Sequence, residues 1–112
     1  MVEDDASMRK FIEIVLSKAG FEVVVAEDGL IALKLYAESA VDAVVADAIM
    51  PNLSGYELCR MVRAQFPDRI VPFIILSGLD ERADDDRFCD AFLTKDTNLK
   101  ERLLATLAEL IG

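Results

Sequence analysis

The chain has no histidine, no tryptophan and only two cysteines among its 112 residues. Without histidine, and without a CxxC spacing, Cys59 and Cys89 match neither a zinc site nor a disulfide framework. We predict that both are inert thiols in the core or at its edge. This cysteine usage also favours a cytoplasmic location.

Positive charge and long apolar runs are also scarce. Twelve Lys and Arg stand against twenty-one Asp and Glu, so the formal net charge is −9. A domain with this charge repels phosphate backbones, and we expect no direct binding to nucleic acid. The longest apolar run, Ile70–Leu76, contains Pro72 and is far shorter than the roughly 18 residues of a membrane span. The acidic start is unlike a signal peptide, so no membrane segment is expected.

A hydrophobic share of 54% predicts one compact domain over residues 1–112. Helical and strand patterns alternate along it. The predicted helices cover Met8–Ala19, Leu30–Glu38, a stretch that begins after Ser54 and ends before Pro67, and Leu99–Ile111. The predicted strands are Phe21–Ala26, Val41–Ala46, Ile70–Leu76 and Ala91–Thr94. This alternation predicts an open parallel sheet with helices on both faces.

Local signals mark where the elements begin and end. Gly20 ends the first helix, and Ser54 with Glu57 forms a capping box for the third. Asn98 is predicted to cap the last helix together with Glu101. The remaining stretches, Met50–Leu53 and Leu79–Asp90, are predicted as loops, the second with a short helix and a solvated Asp84-Asp85-Asp86 run.

The first strand is short. Glu3, Asp4 and Asp5 should follow a strand, yet only Met1 and Val2 precede them. Either this strand is truncated, or Met1 is internal to a longer natural chain. A chain that starts at Met1 would be unstable or would borrow a strand from a neighbour, which makes a dimer one of the options.

Polar residues follow the ends of the apolar runs. They are Glu3, Asp4, Asp47, Ser77 and Lys95. In parallel α/β sheets these ends meet in one crevice. Three carboxylates there would repel one another unless a divalent cation such as Mg²⁺ neutralised them. Asp47 at a strand tip could attack phosphorus, Lys95 could neutralise phosphoryl oxygens, and Ser77 could donate a hydrogen bond.

Each of these residues also has a simpler interpretation. Asp47 alone could cap a helix, Ser77 could belong to a plain turn, and Lys95 could be a solvated surface residue. A flavodoxin-like electron carrier would share the fold. It would need a hydroxyl- and glycine-rich phosphate loop, whereas the acidic stretch 3–5 would repel the flavin phosphate.

Several motifs resemble one known family, the receiver domain of two-component response regulators. The motifs are V-E-D-D at 2–5 with Arg9, E-D-G at 27–29, V-V-A-D-A-I-M-P-N-L-S-G-Y-E-L at 44–58, I-I-L-S-G at 74–78 and F-L-T-K at 92–95. The resemblance covers essentially the whole chain. It implies an α/β, flavodoxin-like, doubly wound sheet of five parallel strands in the order 2-1-3-4-5, here with a truncated first strand.

The resemblance also implies a function and a set of roles. Asp47 would accept a phosphoryl group from a sensor histidine kinase, a phosphotransfer protein or a small phosphodonor, in a Mg²⁺-dependent reaction. Asp4 would bind the ion directly and Glu3 would bind it through water, while Asp47 would contribute its carboxylate and Ile49 its backbone carbonyl. Ser77 and Lys95 would contact the phosphoryl group. Phe92 would turn inward when Ser77 moves toward that group. The domain would be a signalling switch rather than a metabolic enzyme, with an output partner or effector domain that the sequence does not name.

Besides the short N-terminus, two departures from the family pattern bear on this interpretation. Asp96 follows Lys95 where the family usually has proline, often in a cis bond, so we expect a trans bond with a re-routed loop or a strained bond. Only 18 positions separate Ser77 from Lys95, which predicts a shortened fourth helix and an atypical output face. Leu79, like Ile49, cannot hydrogen-bond a water, which predicts slow dephosphorylation. The alternative is a degenerate receiver that acts only as a protein-interaction module.

Overall fold

A computed structural model describes residues 1–50, 53–78 and 89–111 of the chain. Its helices are α1 (Ala6–Lys18), α2 (Gly29–Glu38), α3 (Gly55–Gln65) and α4 (Leu99–Ile111), and its strands are β1 (Val44–Asp47), β2 (Phe73–Ser77) and β3 (Ala91–Thr94). The predictions for Pro51, for Leu79, for the 84–86 run and for a shortened fourth helix lie outside the described residues.

The strands form a parallel sheet in the order β1-β2-β3. Val2 extends this order on the β1 side, because it forms single parallel bridges to Ala46 and to Ala26. Across the sheet, the segments follow one another as Ala26, Val2, β1, β2 and β3. This is the predicted order 2-1-3-4-5, with Ala26 in the second strand of the chain and Val2 in the first. The prediction of a doubly wound parallel α/β fold is confirmed.

The prediction of a regular strand over Phe21–Ala26 is wrong, since only Ala26 makes a bridge. A strand needs a neighbour to hydrogen-bond, and here the neighbour is Met1–Val2. The Met1 amino group donates to Val24 O at 2.8 Å, and Ala26 N donates to Met1 O at 3.0 Å. These bonds hold the segment beside Val2 without building a longer ladder.

Two other strands begin later than their apolar runs. The strand β1 starts at Val44 rather than Val41, and β2 starts at Phe73 rather than Ile70. Pro72 has no N–H to donate to a ladder, so β2 begins after it. Ile70 lies before this break and is 91% exposed, which corrects its assignment to a buried strand.

The sheet separates two apolar layers. Every residue of β1 and β2 is buried, as expected for strands that are covered on both faces. One layer joins the sheet to α2 and α3, and its central side chains are Ala32, Tyr36, Leu58, Val62 and Phe73. The other joins it to α1 and α4 through Ile12, Leu16, Ile74, Leu103 and Leu107. No helix within the described ranges is long and apolar enough to cross a membrane.

Side chains cap three of the helices. Ser54 and Glu57 form the predicted capping box, with Ser54 Oγ accepting from Glu57 N at 3.1 Å. Asp28 accepts from Ile31 N at 2.9 Å at the start of α2. Asp5 accepts from backbone N–H groups in the first turn of α1. The Asp5 carboxylate thus starts a helix, which sets it apart from the two acidic residues before it.

Candidate functional site

Backbone hydrogen bonds bring the predicted site residues to one edge of the sheet. Asp47 N donates to Val2 O at 3.0 Å, which sets Glu3 beside the end of β1. On the other side, Lys95 N donates to Ser77 O at 2.8 Å, which aligns the ends of β3 and β2. The crevice at the carboxyl ends of the strands therefore contains residues from both ends of the chain.

Three carboxylates meet in this crevice. Oxygen atoms of Glu3, Asp4 and Asp47 all lie within 4.8 Å of one another. Glu3 is fully buried, Asp47 is 7% exposed, and Asp4 faces solvent. Hard oxygen donors with one open side are the ligand type that Mg²⁺ takes in proteins, so this donor set fits the predicted ion.

Lys95 joins two of these carboxylates. Its Nζ lies 2.8 Å from Glu3 Oε1 and 2.8 Å from Asp47 Oδ2. One ammonium thus compensates part of the negative charge, and Asp4 adds a further carboxylate at the open side. Sequence reasoning placed Lys95 in the crevice but did not foresee these two ion pairs.

The same contacts shift the pKa values of the cluster. Burial, together with a hydrogen bond to Asp47, raises the pKa of Glu3 to about 7, although Lys95 opposes the shift. Burial alone would lower the pKa of Lys95, but its hydrogen bonds to Asp47 and Glu3 outweigh burial and raise it. Lys95 therefore remains a cation throughout the physiological range, and the raised pKa of Glu3 brings its ionisation close to neutral pH.

The link between Lys95 and α4 accommodates the departure from the family pattern. All described peptide bonds are trans, including the one between Lys95 and Asp96. Asp96 Oδ1 accepts from Asn98 N at 2.9 Å, and its Oδ2 pairs with Arg102 Nη2 at 2.8 Å. Arg102 Nη2 also donates to Thr94 O at 2.9 Å. Asp96 thus anchors the start of α4, next to Asn98, whose backbone carbonyl accepts from Arg102 N at 3.1 Å.

The signal for this role was present in the sequence. Asp96 stands three residues before Leu99, the first residue of α4, and its backbone carbonyl accepts from Leu99 N at 3.1 Å. An Asp side chain that accepts from the backbone N–H two residues later is typical of a turn, and Asp96 makes this contact with Asn98 N.

The other predicted residues surround Asp47. Ile49 N donates to Asp47 Oδ1 at 3.4 Å, and Ile49 is 58% exposed. Ser77 is buried at the end of β2. Phe92 is half-buried and its ring stacks on Tyr56, with ring centroids 6.1 Å apart. The aromatic residue predicted to move thus lies against the first turn of α3.

Gly55 packs closely against the backbone of Asp47. A Cβ at this position would lie well inside van der Waals contact with the backbone carbonyl of Asp47, and 3.0 Å from Ile75 Cδ1. Gly55 N donates to Ala48 O at 3.1 Å, so the start of α3 is hydrogen-bonded to the chain just after β1. The close approach leaves no room for a side chain.

We expect Gly55→Ala to destabilise the fold by about 1–3 kcal/mol, as overpacking against backbone does. Helix propensity alone would have the opposite sign, since alanine in a helix is favoured over glycine by up to about 1 kcal/mol. Urea unfolding followed by circular dichroism measures the sign. A variant as stable as the wild type, or more stable, would contradict the close approach.

The amino-acid sequence is similar to known receiver proteins. The family model described as the response regulator receiver domain matches residues 1–107. A response regulator named MprA from a Mycobacterium species is 36% identical over 99% of this chain, and a probable transcriptional regulator from Guillardia theta is 43% identical over 75% of it. The chain spans 49% and 32% of the lengths of these two relatives.

Solved structures of receiver domains and response regulators are also similar to this chain. The response regulator TrrA from Thermotoga maritima, crystallised in complex with Mg²⁺ and BeF, has a TM-score of 0.88 and 27% identity, over 97% of this chain and 94% of that one. The receiver domain of a sensor histidine kinase from Pseudomonas aeruginosa has a TM-score of 0.84 and 30% identity, over 99% of this chain and 93% of that one. Its structure has a magnesium ion coordinated in the active site cleft.

Proposed function

Because the chain belongs to the response regulator receiver domain family, it is a phosphorylation-switched signal receiver, and we propose that Asp47 accepts the phosphoryl group. The observation that carries this proposal is the pair of 2.8 Å contacts from Lys95 to Asp47 and Glu3, with Asp4 at their open side. A buried nucleophile, a fixed cation and an acidic ion site together suit phosphoryl transfer.

The proposed ion site consists of Asp4, Asp47 and the backbone carbonyl of Ile49, with Glu3 behind them and acting through water. A bound Mg²⁺ supplies positive charge for the transferring phosphoryl oxygens. Glu3 is buried and paired with Lys95, so its part is to set the charge of the site and the position of the ammonium. Asp4 is exposed and is the carboxylate that a hydrated ion meets first.

In the transfer, an oxygen of Asp47 forms a bond to phosphorus, and the bond from phosphorus to the donor breaks. The donor keeps the electron pair of that bond: a histidine donor leaves as an imidazole that takes up a proton from solvent, whereas acetyl phosphate leaves as acetate. Lys95 then pairs with the new phosphoryl oxygens, and Ser77 donates its hydroxyl to one of them. Movement of Ser77 toward the phosphoryl group makes space for Phe92, which leaves its stack on Tyr56 and changes the adjacent surface.

The partners follow from this reaction. The phosphoryl group comes from a sensor histidine kinase, a phosphotransfer protein or a small phosphodonor in the cytoplasm. The domain catalyses its own phosphorylation and dephosphorylation and passes the signal to an output partner or an effector domain. It is thus a switch whose product is an altered binding surface.

The experiment that tests the proposal is the intact mass of the purified chain after incubation with acetyl phosphate, with and without Mg²⁺. We expect the mass to increase by one phosphoryl group only when Mg²⁺ is present. No increase in a sample that is folded by circular dichroism would overturn the proposal. That result would favour a module that binds partners without phosphorylation.

Ile49 is predicted to slow the return to the unphosphorylated state. Ile49 is exposed, its backbone N contacts Asp47 Oδ1, and its apolar side chain cannot hydrogen-bond the water that attacks the phosphoryl group. We expect Ile49→Asn to speed dephosphorylation about ten-fold or more, since an amide can orient this water. The decay of the phosphorylated mass with time measures it, with Ile49→Leu as the matched control. Equal decay of the Asn and Leu variants would contradict the prediction.

A further inference from the structure

The two cysteines lie in the same apolar layer beside α3, although they are 30 positions apart in the chain. Cys59 is on α3 and is fully buried. Cys89 lies two residues before β3 and is half-buried against the same apolar layer. Both are thiols in the structure. The sequence analysis treated them as unrelated and inert.

A second set of contacts holds this arrangement in place. Arg63 follows Cys59 by one helical turn, and its Nη2 lies 2.9 Å from Asp90 Oδ2. The same Asp90 oxygen accepts from Phe73 N at 2.7 Å, and Asp90 N donates back to Phe73 O at 2.9 Å. Because Asp90 is tied to both α3 and β2, its neighbour Cys89 is held against the face of α3 that carries Cys59.

The two thiols differ in a way that suits disulfide chemistry. The hydrogen bond from Cys89 lowers the pKa of Cys59, with burial opposing and Arg63 assisting. The same hydrogen bond, together with burial, raises the pKa of Cys89. The half-buried Cys89 is the sulfur that a reagent in solution can reach, and the fully buried Cys59 is its second partner inside the layer.

We propose that Cys59 and Cys89 form a reversible thiol–disulfide pair that low-molecular-weight disulfides oxidise. The Cys89 sulfur first forms a mixed disulfide with half of the reagent and releases the other half as a thiol. The Cys59 thiolate then attacks the Cys89 sulfur, and the second half leaves as a thiol. In total, two cysteine thiols lose two electrons and two protons, which reduce one reagent disulfide to two thiols.

The bond would link α3 covalently to the residue that leads into β3. That strand carries Phe92, and Lys95 follows its end. The pair is separate from the crevice that contains Asp47, so the proposal does not depend on phosphoryl transfer. It gives the domain a second covalent modification site, on the side of α3 that faces β3.

The test is the equilibrium of the full chain with glutathione redox buffers, followed by trapping with N-ethylmaleimide and intact mass. Because the chain has two cysteines, a monomer mass that lacks both adducts and carries no glutathione identifies a Cys59–Cys89 bond. We expect the equilibrium constant for this bond to be at least about ten-fold larger in native buffer than in urea, where only a flexible loop joins the thiols. Dithiothreitol should restore two adducts.

Two results would overturn the proposal. One is an equilibrium constant in native buffer that is equal to or below the value in urea, which would show that the fold does not favour the bond. The other is a native protein that ends as a mixed disulfide with glutathione. Cys89→Ser provides the matched control, because a single cysteine leaves no intramolecular bond to form. Native circular dichroism of this variant shows that it is folded.

Discussion

Asp47→Asn is expected to abolish incorporation of a phosphoryl group from acetyl phosphate at every Mg²⁺ concentration. The amide is not a nucleophile toward phosphorus, and the substitution also removes one of the three carboxylates that lie within 4.8 Å of one another. Intact mass after incubation measures the effect directly. The loss should be complete, since no other described carboxylate has a comparable contact with Lys95 besides the buried Glu3.

The control for this experiment is Asp42→Asn. Asp42 precedes β1 and is exposed, so its substitution removes the same charge at a position outside the crevice. This variant should gain a phosphoryl group as the wild type does. Incorporation that persists in Asp47→Asn would contradict the assignment of the acceptor. A folded Asp47→Asn sample is expected, because its amide oxygen can still accept from Lys95.

Lys95→Met should have two effects of opposite sign. The ammonium lies 2.8 Å from oxygens of both Glu3 and Asp47, where it competes with a divalent cation for the same charge. Its removal should tighten Mg²⁺ binding several-fold. The transferring phosphoryl group would at the same time lose its fixed cation, so we expect phosphorylation to slow by about 100-fold, as removal of one such donor does.

Calorimetric titration with Mg²⁺ and the time course of the phosphorylated mass measure these two effects separately. General damage to the site would weaken Mg²⁺ binding and slow phosphoryl transfer. Loss of the two ion pairs instead predicts tighter Mg²⁺ binding together with slower transfer. Lys100→Met, at an exposed position of α4, is the matched control and should change neither. Weaker Mg²⁺ binding, or unchanged transfer, in Lys95→Met would contradict the role given to the ammonium.

Much of the fold was predictable because its signals are local. Ser54 and Glu57 satisfy each other's backbone groups within one helical turn, so the start of α3 can be read directly from the residue spacing. The run Ala91–Thr94 was predicted at the bounds it has in the structure. Strand limits went wrong along Phe21–Ala26, where a distant partner decides them, and at Ile70, which Pro72 separates from β2.

The site residues were predictable for a related reason. Parallel strands place their carboxyl ends at one edge, so Asp47, Ser77 and Lys95 could be assigned to one crevice from their positions after apolar runs. The resemblance to receiver domains then supplied roles for them. The contact of Lys95 with Glu3 joins residues 92 positions apart, and no local pattern encodes it.

By itself, the sequence determined the order of the elements, the parallel sheet and the set of polar residues at its edge, because these depend on periodicity, capping and charge along short stretches. Only the tertiary structure decided which atoms meet. It placed Lys95 between two carboxylates, Gly55 under the Asp47 carbonyl, and Cys59 against Cys89. Such contacts depend on the packing of segments far apart in the chain, which residue spacing does not specify.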